Sequence, residues 1–270
     1  MWKHVIGILS VIVIGVGTSI VFANNSSSSS NELHWGFVPS KGEQPVEMGA
    51  QIDELMARYD AIYKGDPSQK VVYLTFDNGY ENGYTESILD TLKAENVPAT
   101  FFLTGHYLKS AEPLVKRMVA DGHIIGNHSY NHPNMAKLSD DEILKEWTEF
   151  DQKLKELTKV ERTYYARPPE GIYNERVLKI GMENNYRHIF WSIAFKDWDR
   201  NSTLPASYAY DALMKQLHPG AIILMHTVAR HNAEALPQFI KDAKEKGYTF
   251  ASLDDLVMSY ELKKLEQFGQ

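Results

Sequence analysis

The sequence predicts an α/β fold in which about seven parallel strands are covered by helices and preceded by an N-terminal extension. Three observations predict it. Short β-rich runs alternate with amphipathic helical stretches, the 270 residues carry 43% hydrophobic and 11% aromatic content, and ionisable residues recur where strands should end. That much apolar material suffices for one barrel-sized core. Strand-then-helix repetition implies parallel strands, because parallel neighbours need a crossover between them. Seven or eight such units close into a (β/α) barrel, and a doubly wound open sheet is the alternative.

The chain opens with Lys3 and His4, then runs apolar from Val5 to Phe22 and reaches Ala23. Residues 1–23 read as a signal peptide cut after Ala23, or as a retained membrane anchor, since the run is about long enough to span a bilayer. Either way the rest is expected outside the membrane, secreted or anchored at its outer face. "NNSSSSSN", residues 24–31, is a polar linker with nothing to bury. Residues 32–68 form an extension, with a short helix in "GAQIDELMARYDAIY" that gathers Ile52, Leu55, Met56, Tyr59 and Ile62 on one face.

From residue 69 the strands follow in order as "VVYLTF", "ATFFLT", "HIIGN", "TYYARP", "HIFWSI", "AIILMH" and "YTFASL". Between them lie "YTESILDTLKAEN", "EPLVKRMVADG", "SDDEILKEWTEFDQKLKELT", "NERVLKIGMENN", "SYAYDALMKQLHPG" and "EALPQFIKDAKEKG", each with helical periodicity. Ser139 is the expected N-cap of the longest helix, and Gly181 carries the ordinary cost of a glycine inside one. The main domain is placed at 69–262 and a tail at 263–270. A net charge of −7 and the lack of a basic stripe exclude a nucleic-acid binder. Without cysteine, disulfides, thiolate metal sites and cysteine nucleophiles are excluded.

Asp77, His128, Arg167, Asp197 and His226 each stand at or just past the C-terminal end of a predicted strand, the rim where such barrels build active sites. His128 and His132, four apart, would share a face of a helical turn and grip one divalent cation, with the side-chain oxygen of Asn78 as a weaker third ligand. Asp77 is the candidate general base for a water, held ionised by Arg167. His226, its second ring nitrogen on Asp197, is the candidate general acid. Trp198 and Leu224 would wall the site, and the backbone N–H of Glu170 would face a developing oxyanion.

Taken in order, "TFDNG", "HSYNH", "RPPEG", "KDW" and "LMH" resemble the five motifs of the polysaccharide deacetylase (NodB homology) family of carbohydrate esterases. The resemblance covers about residues 69–257. It implies a distorted (β/α) barrel and metal-assisted hydrolysis of an acetamide, with zinc first among the metals. It also implies that Asp77 is the base, His128 and His132 metal ligands, Arg167 the partner of the base, Asp197 the orienter and His226 the acid. The strings "TFDNGYENGYT", "GHIIGNHS" and "HTVARHNAEAL" are similar to the branch that deacetylates N-acetylmuramic acid on the route to muramic δ-lactam in spore cortex. Peptidoglycan glycan strands are the partner so implied. Arg230 and Asn232 would then meet the lactyl or glycan groups, and Tyr80 and Tyr84 would flank the sugar.

Two positions depart from the family pattern. Asn78 stands where a second acid is common, and Ala194 stands where another acid precedes Asp197 by three residues. A neutral amide holds a divalent cation less tightly than a carboxylate, so the metal is expected to be weakly bound or replaceable. It also leaves the site more positive toward an anionic substrate. Two other readings are a deacetylase of N-acetylglucosamine and a glycan-binding protein without activity.

Overall fold

The computed structural model describes residues 32–40 and 42–268. The export segment at 1–23 and the linker at 24–31 lie outside the described residues. In chain order come β1 (Leu33–His34), α1 (Ala50–Arg58), β2 (Val71–Asn78), α2 (Thr85–Glu95), β3 (Ala99–Leu103) and α3 (Gly105–Ser110). Next are α4 (Glu112–Ala120), β4 (Ile124–Asn127), α5 (Asp140–Thr158), β5 (Tyr165–Ala166), β6 (Ile172–Tyr173) and α6 (Glu175–Glu183). The remainder holds β7 (Arg187–His188), α7 (Ala206–Gln216), β8 (Ile222–His226), α8 (Arg230–Glu245), β9 (Thr249–Phe250) and α9 (Leu253–Phe268).

Among the described residues one sheet runs in the order β7-β5-β4-β3-β2-β8, with β9 against the start of β2, and every pairing in it is parallel. All seven expected strands are in it. The sheet curls toward closure: Ile193, beyond β7, bridges Ile223 of β8, and Leu224 N–H donates to the Ile193 carbonyl at 2.9 Å. Below that bridge the gap is filled by the extension. Ile62 pairs with Ile189, and Lys64 pairs with Ala221. The barrel is distorted for that reason, and the extension is part of its wall rather than a cover laid upon it.

Hydrophobic burial explains the layers. Val72, Leu74 and Phe76 of β2 pack with Phe101 and Leu103 of β3 and with Leu89, Leu92, Leu236 and Phe239 of the covering helices α2 and α8. A second cluster joins the extension to the far wall: Trp35 stacks on Phe190 at 4.4 Å and donates its indole N–H to the Trp191 carbonyl at 3.0 Å. Ser139 caps α5 in a full capping box with Glu142.

Three expectations change. Gly181 of α6 is not an incidental glycine, because a Cβ there would lie 2.1 Å from Cε1 of the buried His188 ring. Helix α8 starts at Arg230 and runs through Pro237, since the turn before the proline is anchored by burial of His231, Asn232 and Ala233. No separate tail begins at 263, because α9 continues across it and Lys263 pairs with Asp66 at 2.6 Å. None of the described helices is long and apolar enough to cross a membrane.

Candidate active site

The C-terminal ends of the parallel strands open on a cavity of about 890 Å³. Register brings the residues together. Asp77 of β2 pairs with His226 of β8, while His128 follows β4 and Arg167 follows β5 at the same level, their backbones tied to Leu103 and Asn127.

Arg167 donates Nη1 to Asp77 Oδ1 at 2.7 Å and Nε to the Ile189 carbonyl at 2.9 Å. Its guanidinium carbon lies 4.1 Å from the Phe102 ring centre and 5.4 Å from that of Trp191, so the charge is held between two aromatic faces. Gly126 of β4 makes room for this stack: a Cβ there would stand 2.4 Å from the Phe102 ring. Burial pushes the Asp77 carboxyl up, but Arg167, His128 and His226 outweigh it and hold the group below the usual carboxylate range. Asp77 is therefore an ionised carboxylate with one oxygen, Oδ2, left over.

On the adjacent strand, the His226 ring donates Nδ1–H to Asp197 Oδ1 at 2.7 Å. Asp197 Oδ2 accepts the backbone N–H of His226 at 2.8 Å and Asn232 Nδ2 at 2.6 Å. Three donors fix that carboxylate, and with it the ring. Burial lowers the basicity of His226, yet the charges of Asp197 and Asp77 prevail and the imidazole titrates above its ordinary value. Trp198, Leu224 and Glu170 line the same cavity, and Glu170 adopts φ 56°.

His128 and His132 also line the cavity, with ring centres 4.9 Å apart. They sit on an irregular loop instead of the expected helical turn. Ser129 and His132 take positive φ values of 63° and 58°, and Glu146 of α5 accepts the N–H groups of Tyr130 and Asn131 at 2.9 and 2.7 Å. Pro133 forbids helix at His132, and the Glu146 carboxylate replaces the missing helical acceptors. His128 Nδ1 faces the Arg167 carbonyl at 2.9 Å, an acceptor only, so Nδ1 carries the proton and Nε2 presents a lone pair 3.5 Å from Asp77 Oδ2. Burial pushes the His128 pKa down to about 4, which keeps that ring neutral.

The family pattern implies a divalent cation, and the donors present can be tested for it. Two imidazoles at one cavity wall suit zinc. Asn78 does not line the cavity: its Oδ1 is buried without a partner and its Nδ2 donates to Thr227 Oγ1 at 2.7 Å. Thr227 in turn donates to Thr85 Oγ1 at 2.9 Å, and the Thr85 and Tyr107 hydroxyls both donate to the Glu81 carboxylate, so the amide is turned by a buried hydroxyl network. The set fits a cation held by two imidazoles with open positions. It lacks a charged third ligand, and among the described residues no group of three His, Asp or Glu is arranged to hold a metal.

Arg230 and Asn232 are not at the cavity. Arg230 is exposed and pairs with Glu234 at 3.2 Å, and Asn232 is buried behind Asp197, where it also donates to the His226 carbonyl at 2.8 Å. Tyr80 lines the cavity with His106, their rings 4.9 Å apart, whereas Tyr84 packs against the core. Sequence reasoning missed Lys109, His106, Tyr130 and Trp191 at the wall and Glu146 beneath the loop. Tyr130 lies within "HSYNH" and Trp191 within the run "HIFWSI", where their neighbours drew the attention, while His106 and Lys109, three apart before "SAEPL", stand outside every motif.

A parallel-stranded barrel whose mouth sets a carboxylate–arginine pair against an imidazole–carboxylate pair is the site of an acid–base hydrolase. Residues 64–189 match the polysaccharide deacetylase family. Over 231 residues the chain is 47% identical to the peptidoglycan-N-acetylmuramic acid deacetylase PdaA of Bacillus subtilis, covering 86% of this chain and 88% of that protein. Over 244 residues it is 32% identical to a peptidoglycan-N-acetylglucosamine deacetylase of Bacillus cereus, covering 87% and 86%. The solved structure of Bacillus subtilis PdaA, a family 4 carbohydrate esterase, matches with a TM-score of 0.84 at 46% identity, over 86% of this chain and 99% of that one. The chain belongs to the polysaccharide deacetylase family, family 4 of the carbohydrate esterases.

Proposed function

We propose that the chain removes the acetyl group from N-acetylmuramic acid in peptidoglycan, outside the membrane, in the branch that leads to muramic δ-lactam in spore cortex. The observation that carries the chemistry is that Asp77, paired to Arg167, and His226, paired to Asp197, stand on adjacent strands and open into one cavity. Similarity to PdaA supports the muramic substrate.

In this mechanism Asp77 Oδ2 takes a proton from the water that attacks the acetamide carbonyl. Arg167 keeps the carboxylate ionised and aimed. The new oxyanion faces the backbone N–H of Glu170. His226 enters as imidazolium and gives its Nε2 proton to the departing nitrogen, which Asp197 stabilises by holding Nδ1–H. An amine leaves only when protonated, so the acid must stand opposite the base. The C–O bond forms, the C–N bond breaks, and acetate and a free amine result. His128 and His132, with Asn78 as a weak third donor, would hold a zinc-class cation, which would supply Lewis-acid polarisation of the water and carbonyl.

Similarity to the Bacillus cereus enzyme favours a second reading, deacetylation of N-acetylglucosamine. Mass spectrometry of cortex and vegetative peptidoglycan treated with the protein separates them, with Asp77→Asn as control. Free amines on muramic residues are expected. Amines confined to glucosamine would favour the second reading, and binding without acetate release would leave a glycan binder.

A further inference from the structure

An anionic substrate should find a cation at the wall of the cavity, and the two residues that the sequence suggested for this are elsewhere. Arg230 is outside with Glu234, and Asn232 is spent on Asp197. Of the Lys and Arg side chains among the described residues, Lys109 alone lines the cavity. Arg167, beneath the wall, is buried and neutralised by Asp77.

We propose that Lys109 is the specificity-determining residue that binds the lactyl carboxylate of a muramic substrate, an assignment that rests on the muramic reading above. Three observations carry it. First, no carboxylate lies within 4.0 Å of Lys109 Nζ among the described residues, and the nearest acidic influence, Glu149, acts on it only through space. Second, the ammonium is placed: Nζ stands 4.8 Å over the ring of Tyr130, itself a lining residue. A cation over an aromatic face is directed yet keeps its N–H donors for a second partner.

Third, topology puts it on the required side. Lys109 follows β3 and Tyr130 follows β4, whereas His226 ends β8, with Trp198 6.1 Å from its ring, on the other side of Asp77 in β2. With the departing nitrogen turned to His226, groups on the neighbouring sugar carbon project along the rim. In muramic acid the lactyl ether is on the carbon next to the one that bears the acetamide. Its carboxylate is thus a short reach from the reacting carbonyl, and a lysine stem of four carbons spans such a gap. The other acid at the wall, Glu170, follows β5 and is further round the rim. Glucosamine has only a hydroxyl at that carbon and gives Lys109 nothing to pair with.

The test compares glycan strands bearing free lactyl carboxylates with the same strands after their carboxyls have been converted to methylamides. The readout is the ratio of kcat/KM between the two, together with the ratio of Kd measured by calorimetry in an Asp77→Asn background. Wild type is expected to favour the free acid, less so as salt is raised. In Lys109→Gln the ratio should fall by roughly fivefold or more, mainly through KM, and Lys109→Arg should retain it.

Circular dichroism and the melting temperature of each variant establish that it is folded. An unchanged ratio in folded Lys109→Gln overturns the assignment. So does a ratio that survives in this variant but disappears with a chelator, since the carboxylate would then be read by the cation at the histidines. If wild type releases no acetate from muramic residues at all, the muramic reading itself fails. If it does so with a ratio near one, that reading stands and the Lys109 assignment alone falls.

Discussion

Asp77 and His226 are register partners on the adjacent parallel strands β2 and β8. Register neighbours in a parallel sheet project to the same face, so the carboxylate and the imidazole look into one cavity. Their electrostatics differ in sign: Asp77 titrates below the usual carboxylate range and His226 above the ordinary imidazole value. The base works when ionised, so activity should fall only as pH drops through the depressed Asp77 value. The acid works when protonated, so activity should fall again as pH rises through the elevated His226 value. A bell in kcat/KM is expected, with its basic limb above the position of a free histidine. Asp197→Asn removes the charge that raises His226 and should move that limb to lower pH, with turnover reduced by roughly a hundredfold or more. A basic limb that stays in place would separate Asp197 from the acid.

Asp77→Asn should abolish turnover and also destabilise the fold. The substitution leaves Arg167 charged, fully buried and without its anion. Removing one partner of such a pair costs about 3–5 kcal/mol. Urea unfolding at neutral pH measures it. Arg167→Met is the reciprocal case: Asp77 then lacks its main counter-charge, and the acidic limb of the pH profile should move up.

Asn78→Asp should tighten zinc binding, measured by equilibrium dialysis, because a carboxylate replaces the neutral amide proposed as the third donor. Thr227 Oγ1, which now accepts from the amide, can turn its hydrogen from Thr85 to the new carboxylate, exchanging one hydrogen bond for another. The fold should therefore tolerate the change. A dipicolinate titration should strip the cation from wild type at a lower chelator concentration than from the variant. Equal titrations would mean that Asn78 has no part in holding it.

Gly181→Ala should destabilise by about 1–3 kcal/mol, the usual range for overpacking. The His188 ring that the new methyl would strike is buried and makes no hydrogen bond. In a His188→Ala background most of the penalty should vanish. A double-mutant cycle by thermal unfolding tests the coupling, and additive effects would place the cost in the helix backbone instead.

The central strands β2, β3, β4 and β8 were legible because each apolar run is short, continuous and bounded by polar residues, whereas β7 is only Arg187–His188 and meets the expected run "HIFWSI" at its first residue. The pairs Asp77–Arg167 and His226–Asp197 were legible for a related reason: a charged residue directly after an apolar run has one place to go in a parallel barrel. Helix α3 was not, since six residues carry too little periodicity. Nor was the α8 start at Arg230, which is decided by burial of Asn232 against Asp197, thirty-five residues away in the chain.

By itself the sequence determined which polar residues stand at strand ends and that the strands run parallel, because alternation, strand ends and residue type are local properties. Tertiary structure decided what each polar group is paired with. Asn232 became a clamp, Arg230 a surface charge and Asn78 an amide turned by Thr227. Lys109, without a motif to mark it, became the cation at the cavity wall. The physical reason is that hydrogen bonds and ion pairs act over a few ångströms, and only the closed chain brings distant residues that near.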